Sequence, residues 1–218
     1  METAQKIVDH LRGAYHPVAI LLHGSRAAGK NRPHSDWDIV LLFDAEVPAK
    51  SGYEGIEGED VDWKAVQLPL EQKNILSTFG PRLQEARVLW ESGSAGSLLL
   101  EQALAEYRKG VHFDETELKS ARQFFEHKIS GMKDDRDTPY MFLRHLSVLY
   151  AKASNFWFNV LHNEFSKPFY VAVPTIQSKD PEYYQRLMVL CSSSYSNDEK
   201  IKAAEWINKK LFESNETA

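Results

Sequence analysis

The sequence predicts an α+β chain, with a mixed β-sheet and flanking helices over residues 1–112 followed by an α-helical bundle over residues 113–218. Three observations predict it. Short apolar runs bounded by turn residues recur through the first half, near 17–23, 37–43 and 61–68, and read as strands. After Lys109-Gly110 the pattern changes to long stretches with helical period. Two aspartates, Asp36 and Asp38, stand at the head of the second apolar run, where a strand would project both from one face.

Taken in order, Ile7, Leu11 and Tyr15 recur at helical spacing with Val8 beside them, so the chain opens with an amphipathic helix covering the sheet. The first two strands follow. Residues 48–59, with three glycines and many acids, read as a connecting loop or hairpin tip before the third strand. A helix near 70–78 is broken by Phe79-Gly80-Pro81, a fourth strand is expected over 86–91, and Ser92-Gly93-Ser94 turns the chain into a helix over 96–108. The boundary between the halves falls at 111–114. Beyond it, helices are expected over 114–130, 137–163, 180–192 and 197–214, the second opening with Asp137-Thr138-Pro139, a cap followed by proline in the first turn. On that long helix Leu146, Leu149, Ala153, Phe156, Trp157 and Val160 share an apolar face. His145, Lys152, Asn155, Asn159 and His162 form a polar stripe opposite, which either lines a cleft or faces solvent.

The chemistry lies in the first half. Residues two apart on a strand sit about 6.7 Å apart on the same face, so Asp36 and Asp38 project together while Trp37 and Ile39 point the other way. Two unpaired charges on one face of a buried strand are costly. Each also raises the other's pKa unless divalent cations neutralise the pair, and hard oxygen ligands favour magnesium or manganese. A third acid is expected on the next strand. Asp62, between Val61 and Trp63, is the first choice and Asp60, beside the acidic turn Glu57-Gly58-Glu59, is its rival.

Before the pair comes Gly24-Ser25-Arg26-Ala27-Ala28-Gly29. A strand that ends at Gly-Ser and runs into a helical turn can offer backbone N–H groups and the Ser25 hydroxyl to an anion. Gly24 lets the backbone approach closely, and Arg26 or Lys30 could add positive charge. Lys64, on the face of Asp62, suits a cross-strand ion pair or a nucleotide contact equally. His23 is expected to be packed or hydrogen-bonded, and Trp37, Trp63 and Trp90 to be core residues.

The order apolar-Gly24-Ser25, ten intervening residues, Asp36-Trp37-Asp38 in an apolar strand, then Val61-Asp62-Trp63, resembles the nucleotidyltransferase superfamily named after DNA polymerase beta. The fuller stretch, with Pro33 and Ser35, looks like its small bacterial members, the aminoglycoside-type and minimal nucleotidyltransferases. The resemblance covers roughly the first half of the chain. It implies a nucleotidyltransferase-type mixed sheet and transfer of a nucleoside monophosphate from a nucleoside triphosphate, ATP favoured, to an acceptor hydroxyl, with release of pyrophosphate. Gly24, Ser25, Arg26 and Ser35 would bind the nucleotide. Asp36 and Asp38 would hold two Mg2+ ions, with Mn2+ as an alternative, and Asp62 would serve as a shared ligand or as the base near the attacking hydroxyl. In aminoglycoside-type relatives the helical half supplies acceptor binding and a carboxylate base. Glu126, Glu164 and Asp137 are unranked candidates here.

A net charge of −5 argues against tight, nonspecific binding to extended nucleic acid and favours a small-molecule acceptor. Two other readings stay open: a regulatory enzyme acting on a protein or RNA acceptor, and a non-catalytic nucleotide-binding module. One cysteine, Cys191, precludes an intramolecular disulfide and a cysteine-rich zinc site, and is expected to be a small buried hydrophobe. No apolar run reaches about 18 residues and the N-terminus lacks a signal-peptide pattern, so no membrane partner and a cytoplasmic setting are expected. A homodimer is left open.

Overall fold

A computed structural model describes residues 2–213, and the chain divides into two compact units, one ending at Lys109 and the other beginning at Gly110. The first unit is built on a five-stranded mixed sheet. Its elements are α1 (Glu2–Tyr15), β1 (Ala19–His23), α2 (Gly24–Ala27), β2 (Trp37–Phe43), β3 (Ser51–Ile56), β4 (Glu59–Gln67), α3 (Ile75–Phe79), β5 (Arg87–Glu91) and α4 (Ala95–Arg108). The strands lie in the order β3-β4-β2-β1-β5. The β2–β4 pair is parallel and the other pairs are antiparallel.

Alternation along the strands sorts the two faces. Trp37, Ile39, Leu41, Val61, Trp63, Ile20 and Leu22 share a buried cluster with Ile7, Val8 and Leu11 of α1, so the expected opening helix does cover the sheet. Asp36, Asp38, Asp62 and Lys64 take the opposite parity. On that side Gly96 of α4 comes so close to β1 that a Cβ there would lie 2.9 Å from Leu21 Cδ2. Glu91 accepts the Gly96 and Ser97 N–H groups at 2.9 and 3.0 Å, which fixes the start of α4.

Residues 48–59 are not merely a loop. Ser51–Ile56 forms the edge strand β3, joined to β4 by a two-residue turn at Glu57 and Gly58 with φ of 53° and 81°. Gly52 belongs in this strand for a packing reason: a Cβ there would lie 2.5 Å from Trp63 Cζ2, so the indole uses the space a side chain would fill. The helix expected near 70–78 is shorter, a 3-10 turn at Gln72–Asn74 leading into α3.

The second unit is all helical: α5 (Glu115–Asp134), α6 (Pro139–Leu161), α7 (Phe169–Lys179), α8 (Pro181–Cys191) and α9 (Asn197–Phe212). Reciprocal caps open two of them, Asp114 with Glu117 and Ser196 with Glu199. α7 carries Pro174 in its interior and follows Pro168, the signals that hid it in the sequence. Cys191 is exposed, correcting the expectation of a buried hydrophobe, because it ends α8 on the outer side of the bundle.

The polar stripe of α6 is largely taken up by the bundle. His145 Nε2 lies 3.1 Å from Asp135 Oδ2, His162 packs on the Trp157 ring at 4.1 Å between centroids, and Asn159 Oδ1 is buried. Asp180 joins three helices: it ends α7, accepts the Tyr183 N–H at the start of α8, and lies 3.5 Å from the Trp157 Nε1 of α6. Asp180→Ala is expected to destabilise the protein by about 2 kcal/mol, as a lost cap plus an indole N–H without its acceptor, measured by urea unfolding.

Candidate active site

The carboxylate cluster is assembled by strand register. Asp38 of β2 stands opposite Asp62 of the parallel strand β4, and opposite His23 of β1 on the other side. Asp36, two residues before Asp38 and therefore on its face, lies just ahead of the ladder. Oxygen atoms of Asp36, Asp38 and Asp62 all lie within 4.8 Å of one another, the one such acidic or metal-ligating group among the described residues. Of the two rivals for the third acid, Asp62 joins this group, while Asp60 hydrogen-bonds the exposed Tyr53 of the edge strand.

Partial burial, with Asp36 and Asp62 beside it and Arg82 opposing, pushes the Asp38 carboxyl up to about 6. Like charges gathered this closely disfavour ionisation of one another, and oxygen-only donors at this spacing suit hard divalent ions. Gly24 closes the site from the end of β1. Its φ is 73°, and a Cβ there would overlap Asp38 Oδ2, so the backbone lies directly against the carboxylate. Ser25 follows as the second residue of α2.

Around Asp38 and Asp62 opens a cleft of about 390 Å³ that His23, Lys50, Ser51, Lys64, Phe79 and Arg82 help to line. Burial, then the charges of Arg82 and Lys64, lower the His23 pKa to about 4, so the imidazole is neutral at pH 7. Among the described residues Lys64 makes no cross-strand ion pair. Its Nζ donates to Thr78 O at 3.2 Å and lies over the Phe79 ring. Arg82 was missed by sequence reasoning. It sits twenty residues beyond Asp62, on a 3-10 turn, with no local pattern to mark it.

Two residues expected to bind the nucleotide are engaged in other contacts. The Ser35 hydroxyl accepts the Arg32 N–H at 2.9 Å, and the Ser35 carbonyl accepts from Arg26. Arg26 itself turns away from the carboxylates, its guanidinium 4.7 Å above the Trp37 ring, which belongs to the α1 side of the sheet.

A family model supports the resemblance. Residues 5–66 match the family described as Polymerase beta, Nucleotidyltransferase, a segment that includes Gly24, Ser25 and all three clustered aspartates. The match supports placing this part of the chain in the nucleotidyltransferase superfamily. Among solved structures, a nucleotidyltransferase-like protein from Exiguobacterium sibiricum 255-15 is similar at 14% identity and a TM-score of 0.48, over 98% of this chain and 74% of that one. No curated protein matches the chain.

Proposed function

We propose that this chain is a magnesium-dependent nucleotidyltransferase that moves a nucleoside monophosphate, AMP from ATP, to a hydroxyl of a small-molecule acceptor such as an aminoglycoside-like compound. The observation that carries this reading is the register that gathers Asp36, Asp38 and Asp62 against the Gly24 backbone. Divalent cations held there would neutralise the phosphates, ease deprotonation of the acceptor hydroxyl and steady the leaving pyrophosphate. Mn2+ satisfies the same donors. Asp36 and Asp38 are the ligands facing the metals, and Asp62 is the shared ligand or the base on the acceptor side.

Gly24 and Ser25 hold the triphosphate by close backbone approach and a hydroxyl donor. Lys64 and Arg82 put positive charge on the wall of the cleft around Asp38 and Asp62, which would add to the charge of the metals on a polyphosphate. No covalent nucleophile is needed, since positioning and charge neutralisation account for most of such chemistry. No helix among the described residues is long and apolar enough to cross a membrane. A cytoplasmic setting would supply both ATP and magnesium.

Calorimetric titration with a nonhydrolysable ATP analogue, with and without Mg2+, tests the proposal. Binding by the wild type should require the metal, and the double variant Asp36→Asn/Asp38→Asn should show none. Failure of the wild type to bind ATP, GTP, CTP or UTP analogues would overturn the reading.

A further inference from the structure

Arg26 stands one residue after the Gly-Ser turn, where a cation would be expected to meet phosphate, yet its bonds run the other way. Nε donates to Ser35 O at 2.9 Å and to Asp36 O at 3.0 Å. Nη2 donates to Ser35 O and to Glu59 Oε2, both at 2.6 Å. The same Glu59 oxygen accepts the Trp37 Nε1 proton at 3.1 Å, and the guanidinium lies on that indole. The Arg26 side chain is only 15% exposed.

The two carbonyls it grips belong to the peptide planes on either side of the Asp36 Cα. Fixing both planes fixes φ and ψ of Asp36, and with them the direction in which its carboxylate leaves the backbone. Asp36 needs such a device more than its partners do. Asp38 and Asp62 lie within paired strands, whereas the β2 ladder begins at Trp37 and leaves Asp36 at the end of the loop from Ala28. A planar guanidinium can hold two carbonyls, a carboxylate and a ring face together, and an ammonium cannot.

We propose that Arg26 is a positioning residue that holds Asp36 in the carboxylate cluster, clamping the Ser35-Asp36 backbone to β4 through Glu59. The proposal rests on the reading of Asp36, Asp38 and Asp62 as metal ligands. It assigns Arg26 to the metal rather than to the nucleotide, and acting from the far face of the sheet it touches neither. Partners of this kind are worth roughly ten- to hundredfold in metal affinity.

The test is titration of the full chain with Mn2+ alone, then with Mn2+ and the nonhydrolysable ATP analogue, for wild type, Arg26→Ala, Arg26→Lys and Val8→Ala, with melting curves for each. Arg26→Ala is expected to lose roughly tenfold or more in affinity for Mn2+ alone, and Arg26→Lys to recover part of that loss. Val8→Ala, which removes core volume from the same unit, should lower the melting midpoint and leave Mn2+ affinity unchanged. Were Arg26→Ala insoluble, Arg26→Lys alone would still have to show a weakened Mn2+ affinity. Wild-type Mn2+ affinity in the arginine variants would overturn the proposal, whether nucleotide affinity is kept or lost. Loss of nucleotide affinity alone would make Arg26 a phosphate ligand. A wild type that binds neither Mn2+ nor the nucleotide would defeat the functional reading itself, and this inference with it.

Discussion

Asp38→Asn is expected to lower nucleotidyl transfer by about 10³-fold while making the metal-free protein more stable. The two effects share one cause. Asp38 is held beside Asp36 and Asp62 and partly withdrawn from water, which raises its carboxyl from the ordinary 3.8 to about 6. A group whose pKa is raised on folding binds its proton more tightly in the folded protein. The cost of ionising it is therefore absent below pH 4 and complete above pH 6, so this residue erodes stability as pH rises through that window. Asparagine keeps the shape and removes the charge. Allowing for the solvent that still reaches the site, the gain at pH 7 is about 1 kcal/mol. Scanning calorimetry of chelator-treated protein should place the variant a few degrees above wild type at pH 7 and bring the two together near pH 4. A variant less stable than wild type at pH 7 would show that Asp38 is a structural acid.

Gly24→Ala should be almost as damaging to activity, for a steric reason. Its φ of 73° disfavours any side chain by about 1–2 kcal/mol, and the new methyl would lie 2.8 Å from Asp38 Cγ. The carboxylate must move out of the cluster or the turn must open. A displacement of about 1 Å of a catalytic group costs about 10²-fold, and that is the loss expected in kcat/KM. Gly29→Ala is the matched control. Gly29 also has positive φ, at 66°, but nothing lies within 4 Å of the added carbon. It should lose a similar amount of stability and keep most of its activity. Equal activity loss in both variants would mean that the backbone conformation, and not the approach to Asp38, is what matters.

The legible part of this molecule was the part governed by parity. Asp36 and Asp38 could be placed on one face because Trp37 and Ile39 must be buried, and Asp62 because Val61 and Trp63 bracket it. Parity left Asp60 and Asp62 open together, and the apolar flanks of Asp62 favoured the one that joins the cluster. Where neither parity nor flanking residues apply, the sequence says less. β3 looked like a loop because three glycines and several acids crowd residues 48–59, and the reason for Gly52 is an indole eleven residues away. Arg26 was read as a phosphate contact because its neighbours in sequence are Gly24 and Ser25. Its neighbours in space are Trp37 and Glu59, fixed by the path of a loop that no local pattern specifies. Arg82 and Phe79 enter the cleft from a short irregular segment in which helical periodicity has too few residues to register.

The parallel pairing of β2 with β4 makes the two faces of the sheet a single inheritance. Trp37 stands opposite Val61 and Ile39 opposite Trp63 in the buried layer beneath α1, and the same register sets Asp38 opposite Asp62. Were β4 to slide by one residue, its indole and its valine would be thrown into solvent in the same movement that scattered the carboxylates. Substitutions of Val61 or Trp63 that let β4 shift in register would thus reach the reacting groups without touching them. The oily side of this sheet keeps the alignment of its charged side.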